Sequence, residues 1–140
     1  MKAKEYMQQL EKINVLIENK FAEKAHWQEI AMGATTRLSV DKVQSSGNPQ
    51  RMADAISEYI DVEKEIAEQI ELLKRKRKEI ISVIEQLNYM DYDLLHKKYV
   101  QDIDFKVIAA IRKQSYSNIT TLHGIALKNL QKLLDTMEEN

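Results

Sequence analysis

Glu23 and His26 stand three positions apart, the spacing at which one helix offers a carboxylate and an imidazole to the same metal ion. A di-metal site of that kind needs a second such pair and two more glutamates on facing helices. The chain has 3 His, and neither His96 nor His123 has a Glu three positions before it. These two read as surface or packed histidines, and no metal site is nominated. Cys is absent, which removes disulfides, thiol catalysis and thiolate-held zinc. Asp91 and Asp93 fall where a helix should start, and carboxylates there favour the helix dipole; an acid–base pair is the lesser reading. No nucleophile–base signature, phosphate loop or dinucleotide fingerprint is present. The expectation is a non-enzymatic protein with no catalytic residue and no cofactor.

One stretch has a different chemistry. The 28 residues from Phe105 to Lys132 contain Lys106, Arg112, Lys113, Lys128 and Lys132 and no carboxylate. An even spread of the chain's 22 acids would put about four there. A surface that faces phosphates must avoid carboxylates, because like charges repel and are costly to desolvate. The plainer alternative is chance, combined with a buried amphipathic helix pair. The whole-chain net charge of -1 conceals this unevenness. The run Lys74-Arg75-Lys76-Arg77-Lys78 is also basic, but five successive helical residues point all around the axis. Glu71 and Glu79 each sit four from Arg75, so a solvated helix surface is the preferred reading of that run over a nucleic-acid clamp.

The elements that must position these groups are helical. In 140 residues there are 3 Gly and 1 Pro, too few for an all-β fold, and 44% hydrophobic content is enough for a core. Tyr6, Leu10, Ile13, Ile17 and Phe21 give one apolar face to a first helix over about 4–32, and Gly33 is placed as its stop. Trp27 on this helix reads as a packing or oligomer contact. Residues 34–47, with Thr35, Thr36, Ser39, Ser45 and Ser46, read as a mobile loop. Asn48 can cap the next helix, with Pro49 at its first position. A heptad register then runs Met52, Ile56, Tyr59, Glu63, Ile66, Ile70, Leu73, Arg77, Ile80, Ile84 and Leu87, broken only by Glu63 and Arg77. A helix of roughly forty residues, about 60 Å, follows. The first helix, folded back antiparallel, would cover part of it; the C-terminal region or a second copy of the chain must cover the rest.

Three shorter helices are expected near 92–100, 105–113 and 117–137. Phe105, Ile108 and Ile111 give the middle one an apolar face. After a short turn around Gln114, Ser115 can cap the last helix, whose inner face is Ile119, Leu122, Ala126, Leu127 and Leu130. Small Ala109 suits a close helix crossing. A short helix, a tight turn and a longer helix make a helix-turn-helix.

The residues Asp104-Phe105-Lys106-Val107-Ile108-Ala109, then Ser115, Ile119, Leu122 and Ala126-Leu127-Lys128-Asn129-Leu130, resemble region 4 of bacterial sigma-70 factors. Leu94-Leu95-His96-Lys97-Lys98-Tyr99-Val100 resembles the helix that precedes that module. The whole chain, with Ser45-Ser46-Gly47-Asn48-Pro49 before its long helix, is similar to small regulators of phages and prophages of Gram-positive bacteria, of the ArpU and RinA type. The resemblance implies an all-α fold, a long antiparallel helical hairpin followed by a three-helix sigma-region-4-like helix-turn-helix. The corresponding division is 1–88, with a loop over 33–48, and 89–140. It implies a phage-encoded transcriptional regulator in the bacterial cytoplasm, binding double-stranded DNA, with host RNA polymerase as a further partner and a homodimer as the working form. Ser115, Tyr116, Ser117, Asn118, Thr120 and Thr121 would face the groove, while Lys106, Arg112, Lys113 and Lys128 would hold phosphates. Two departures stand out: Thr120 and Thr121 replace the family's early recognition-helix arginines, and Lys113 replaces the glycine of the turn. The alternative is a helical adaptor that binds polymerase or another phage protein without touching DNA.

Overall fold

The computed structural model describes the backbone of residues 1–44 and 49–139, and the side chains of these apart from 34–44. The chain is all-α, 90% helical, with no strand among the described residues. Helix α1 spans Ala3–Gln44 and α2 Pro49–Ile84. Then come α3 (Tyr89–Leu95), a π-helical segment (His96–Val100), α4 (Phe105–Arg112) and α5 (Tyr116–Glu139). Among the described residues, no helix is long and apolar enough to cross a membrane.

The loop expected over 33–48 is corrected for its described part, because α1 continues through Gly33 to Gln44. A mid-helix glycine costs about 1 kcal/mol, which a long helix tolerates, and no glycine among the described residues takes a positive φ. No proline precedes Pro49 to break the run. Pro49 is the first helical residue, where its missing N–H is no loss. The cap assigned to Asn48 lies outside the described residues, as do Ser45 to Gly47.

Packing, rather than chain order, defines two compact units, Met1–Val15 with Lys74–Asn140, and Leu16–Leu73. In the first unit Met7, Leu10 and Ile13 of α1 and the heptad residues Ile80 and Ile84 of α2 are buried. So are Leu94, Ile108, Ile119, Ala126 and Leu130 from the C-terminal helices. Leu94, Ile108, Ala109 and Ile119 form one cluster, with Ile103, Phe105 and Leu122 packed against it. The small side chain of Ala109 sits inside that cluster, as expected where helices approach closely.

In the second unit α1 and α2 lie side by side. Lys24 Nζ lies 3.8 Å from Glu63 Oε1, while His26 and Ile30 line one cavity with Met52 and Ala55. Burial here is sparse. Only Ile66 and Ile70 are buried among the described residues, whereas Phe21 is 48% and Ile60 58% exposed. The predicted apolar stripe of α1 is therefore buried at Leu10 and Ile13 and open at Phe21.

Candidate nucleic-acid interface

The α4–α5 turn is built from backbone hydrogen bonds. Gln114 N donates to Ala109 O at 2.9 Å, and Lys113 N donates to Ala110 O at 3.3 Å. That pair of bonds is the Schellman ending, which requires a left-handed residue between the two helices. Lys113 supplies it, with φ 55 and ψ 46. Ser115 Oγ then accepts from Asn118 N at 3.0 Å, and α5 starts where the sequence placed its cap. A left-handed non-glycine residue is strained, so Lys113→Gly should raise stability by about 1 kcal/mol. The urea midpoint of this variant should therefore rise.

With Ile119, Ala126 and Leu130 turned inward, Ser117, Thr121, Gly124 and Lys128 form an exposed stripe on the opposite side of α5. Lys106, Lys113, Tyr116 and Asn118 are exposed as well. Thr120 is half-buried, and both threonine hydroxyls donate to Ser117 O, at 2.9 and 3.0 Å. They are left with acceptor lone pairs and methyl groups to present. Ser115 is likewise occupied by its capping bond.

Arg112 is the exception among the predicted phosphate contacts. Its side chain is only 11% exposed, with Nη1 4.0 Å from Asp93 Oδ2 and Nη2 3.4 Å from Met90 Sδ. Asp93 also takes Lys97 Nζ. Arg112 therefore ties α4 to α3, and its predicted role on phosphate does not fit this placement. Ile111 is also corrected: it was expected on the inner face of α4 but is 53% exposed, beside Val107 at 50%. Eight residues make barely two turns, and Ile108 with Ala109 fills the contact.

Two inward groups were not singled out by sequence reasoning as a unit. Asp91 is buried, and its Oδ2 accepts from Asn88 Nδ2 at 2.8 Å and Asn129 Nδ2 at 2.7 Å. His123 is packed between Tyr99, whose hydroxyl is 2.8 Å from Nε2, and the Phe105 ring at 4.8 Å. Burial, then Lys98 and Lys4, push the His123 pKa down to about 4. The unfolded imidazole would titrate at its ordinary 6.5, so the unfolded state takes up the proton first. Stability should be full above about pH 6.5 and fall as the pH drops toward 4. Burial lowers the pKa of His96 as well, with the same sign. Urea midpoints at pH 7 and 5 test this, and His123→Phe should flatten the difference.

Elsewhere, Glu23 and His26 are both exposed, and among the described residues no group of three or more His, Cys, Asp or Glu could hold a metal ion. Trp27 is half-buried against the edge of His26. Of the basic run, Lys74, Arg75, Lys76 and Lys78 are exposed, while Arg77 is half-buried with its Nε unpartnered. No protein-family model matches the chain, and neither a curated protein nor a solved structure matches it.

Proposed function

We propose that this chain is a phage-encoded, non-enzymatic transcriptional regulator whose C-terminal helices form a sigma-region-4-like helix-turn-helix that binds double-stranded DNA. The observation that carries the reading is the outward side of α5. It begins at the Ser115 cap, runs through Ser117 and Thr121 to Lys128, and has no carboxylate until Asp135. A recognition helix presents its N-terminal residues to base edges, and Tyr116, Ser117 and Asn118 are the side chains exposed there. Lys106, Lys113 and Lys128 would meet phosphates. The sequence resemblance to sigma region 4 and to ArpU- and RinA-type regulators supports the same assignment. The test is saturable, salt-sensitive binding of a labelled promoter fragment from the gene's own operon. Binding that is absent at low salt, or indifferent to salt, would sink it.

The antiparallel α1–α2 pair would be the dimerising hairpin, through the apolar residues left open in the second unit. Phe21→Glu with Ile60→Glu should then shift sedimentation equilibrium from dimer to monomer. A wild-type monomer at micromolar concentration would remove this part of the proposal.

The second reading, an adaptor for RNA polymerase or another phage protein, draws on Val107 and Ile111. These exposed apolar residues, four apart on α4, offer a packing contact that DNA does not need. Val107→Asp should then abolish partner capture, and the promoter fragment should bind neither the variant nor the wild type.

A further inference from the structure

We propose that the cleft between the start of α1, the π-helical segment and α5 binds a small organic anion that also carries hydrogen-bond donors, with Lys4 and Lys98 as its cationic partners. The cleft is half-open and has a volume of about 420 Å³. Lys4, Gln8 and Glu11 line it from α1 at steps of four and three, hence from one side of that helix. Lys98 and Tyr99 come from the π-helical segment, and Phe105 and His123 from α4 and α5.

Three local features set this cleft apart from ordinary surface. A π-helical turn is a costly irregularity that recurs at functional sites. Asp102, at the rim, is one of two non-glycine residues with positive φ among the described residues, at 56. Neither Lys4 nor Lys98 has a carboxylate within 4.0 Å among the described residues, and the Lys98 ammonium sits over the Phe105 ring at 4.5 Å. The two lysines therefore bring positive potential to the cleft without an ion pair, although Glu11 and Asp102 balance its total charge. His123 registers it, since both ammonium groups add to burial in holding the imidazole neutral. An anion placed between them would cancel that potential.

The remaining charges shape the ligand. Glu11 and Asp102 are the two carboxylates in the lining and would repel a bare anion. A ligand that bears hydroxyl or ammonium groups beside its anionic group satisfies both. The ligand is not the phosphate backbone of a duplex on the outward side of α5. His123 follows Ile119 by four and precedes Ala126 by three, so it lies on the inward face, away from Ser117, Thr121 and Lys128. The site therefore stands independently of the DNA-binding reading.

Glycerol 3-phosphate, with one phosphate and two hydroxyls, serves as the probe, titrated into the full chain at pH 7 and constant ionic strength. The readout is the His123 ring proton resonances. A saturable shift is expected, with apparent affinity at least ten-fold weaker in Lys98→Gln and in Lys4→Gln and retained in Lys98→Arg, all with wild-type helicity by circular dichroism. Saturating probe should also raise the His123 pKa from about 4. The proposal is overturned by the absence of a saturable shift up to 20-fold molar excess over millimolar protein, or by undiminished binding in either glutamine variant. It is equally overturned if inorganic phosphate matches the probe, since the carboxylates would then select nothing.

Discussion

Replacing Lys106, Lys113 and Lys128 together by glutamate is expected to weaken binding to the promoter fragment by at least about a hundred-fold while leaving the fold intact. All three side chains are exposed, and none makes an ion pair within 4.0 Å among the described residues. Nothing in the core depends on their charge, so stability should change by less than about 1 kcal/mol. Each lysine that neutralises a phosphate releases counterions, so each single Lys→Gln change should reduce the slope of log affinity against log salt by about 1. The glutamate triple goes further, because it adds repulsion to the lost attraction. Arg112 does not belong in this set. A glutamate there would face Asp93 from an almost fully covered position and would loosen α4 from α3, so lost binding would report unfolding instead of lost contact. If the triple variant binds within a few-fold of wild type, or the salt slopes of the single variants do not move, the three lysines do not face DNA and the adaptor reading gains.

The helical class was legible because the 3.6-residue period is strong and the chain is poor in glycine and proline. The turn was legible too, because Ser115 can act in one local way and did: its capping bond depends only on residues within three positions. Three things were not legible, each for a physical reason. Gly33 was assigned as a helix stop, but a stop is made when the chain turns left-handed, and the residue type only permits that. The same logic runs in reverse at Lys113, where the backbone turns left-handed without a glycine. Arg112 was counted as a free cation, since a linear pattern shows charge but not the Asp93 carboxylate 19 residues earlier that folds against it. The cleft around His123 draws on α1, the π-helical segment, α4 and α5, and no spacing rule joins Lys4 to His123 across 119 residues. The apolar spacing of α1 and the heptad register of α2 each marked one apolar face. Neither could show that these faces are buried at Leu10, Ile13, Ile66, Ile70, Ile80 and Ile84 while Phe21 stays open.

Asp91→Ala is expected to destabilise the first unit by about 3 kcal/mol, the largest effect of any single polar substitution in it. The carboxylate is buried and serves two amides at once: Asn88, in the connection after α2, and Asn129, in the middle of α5. Asn88 also accepts from the Asp91 backbone N–H at 3.0 Å, which caps α3. Removing the carboxylate therefore loses two charge-assisted bonds and leaves the half-buried Asn129 amide short of an acceptor, while exposed Asn88 can turn to water. Asn129→Ala removes one of those bonds from the other side and should cost about 1.5 kcal/mol by itself. The double variant should cost less than the sum, because the second change removes a group that the first had already orphaned. A coupling of about 1 kcal/mol in urea denaturation is the expected result, and strict additivity would refute the link. This network determines where α5 sits against α3, and thus where Ser117, Thr121 and Lys128 are carried, without touching any ligand itself. Its loss should lower the denaturation midpoint and leave the salt slope of DNA binding unchanged at temperatures where the variant is folded. The lysine variants should show the converse, and that opposition separates the residues that position α5 from those proposed to use it.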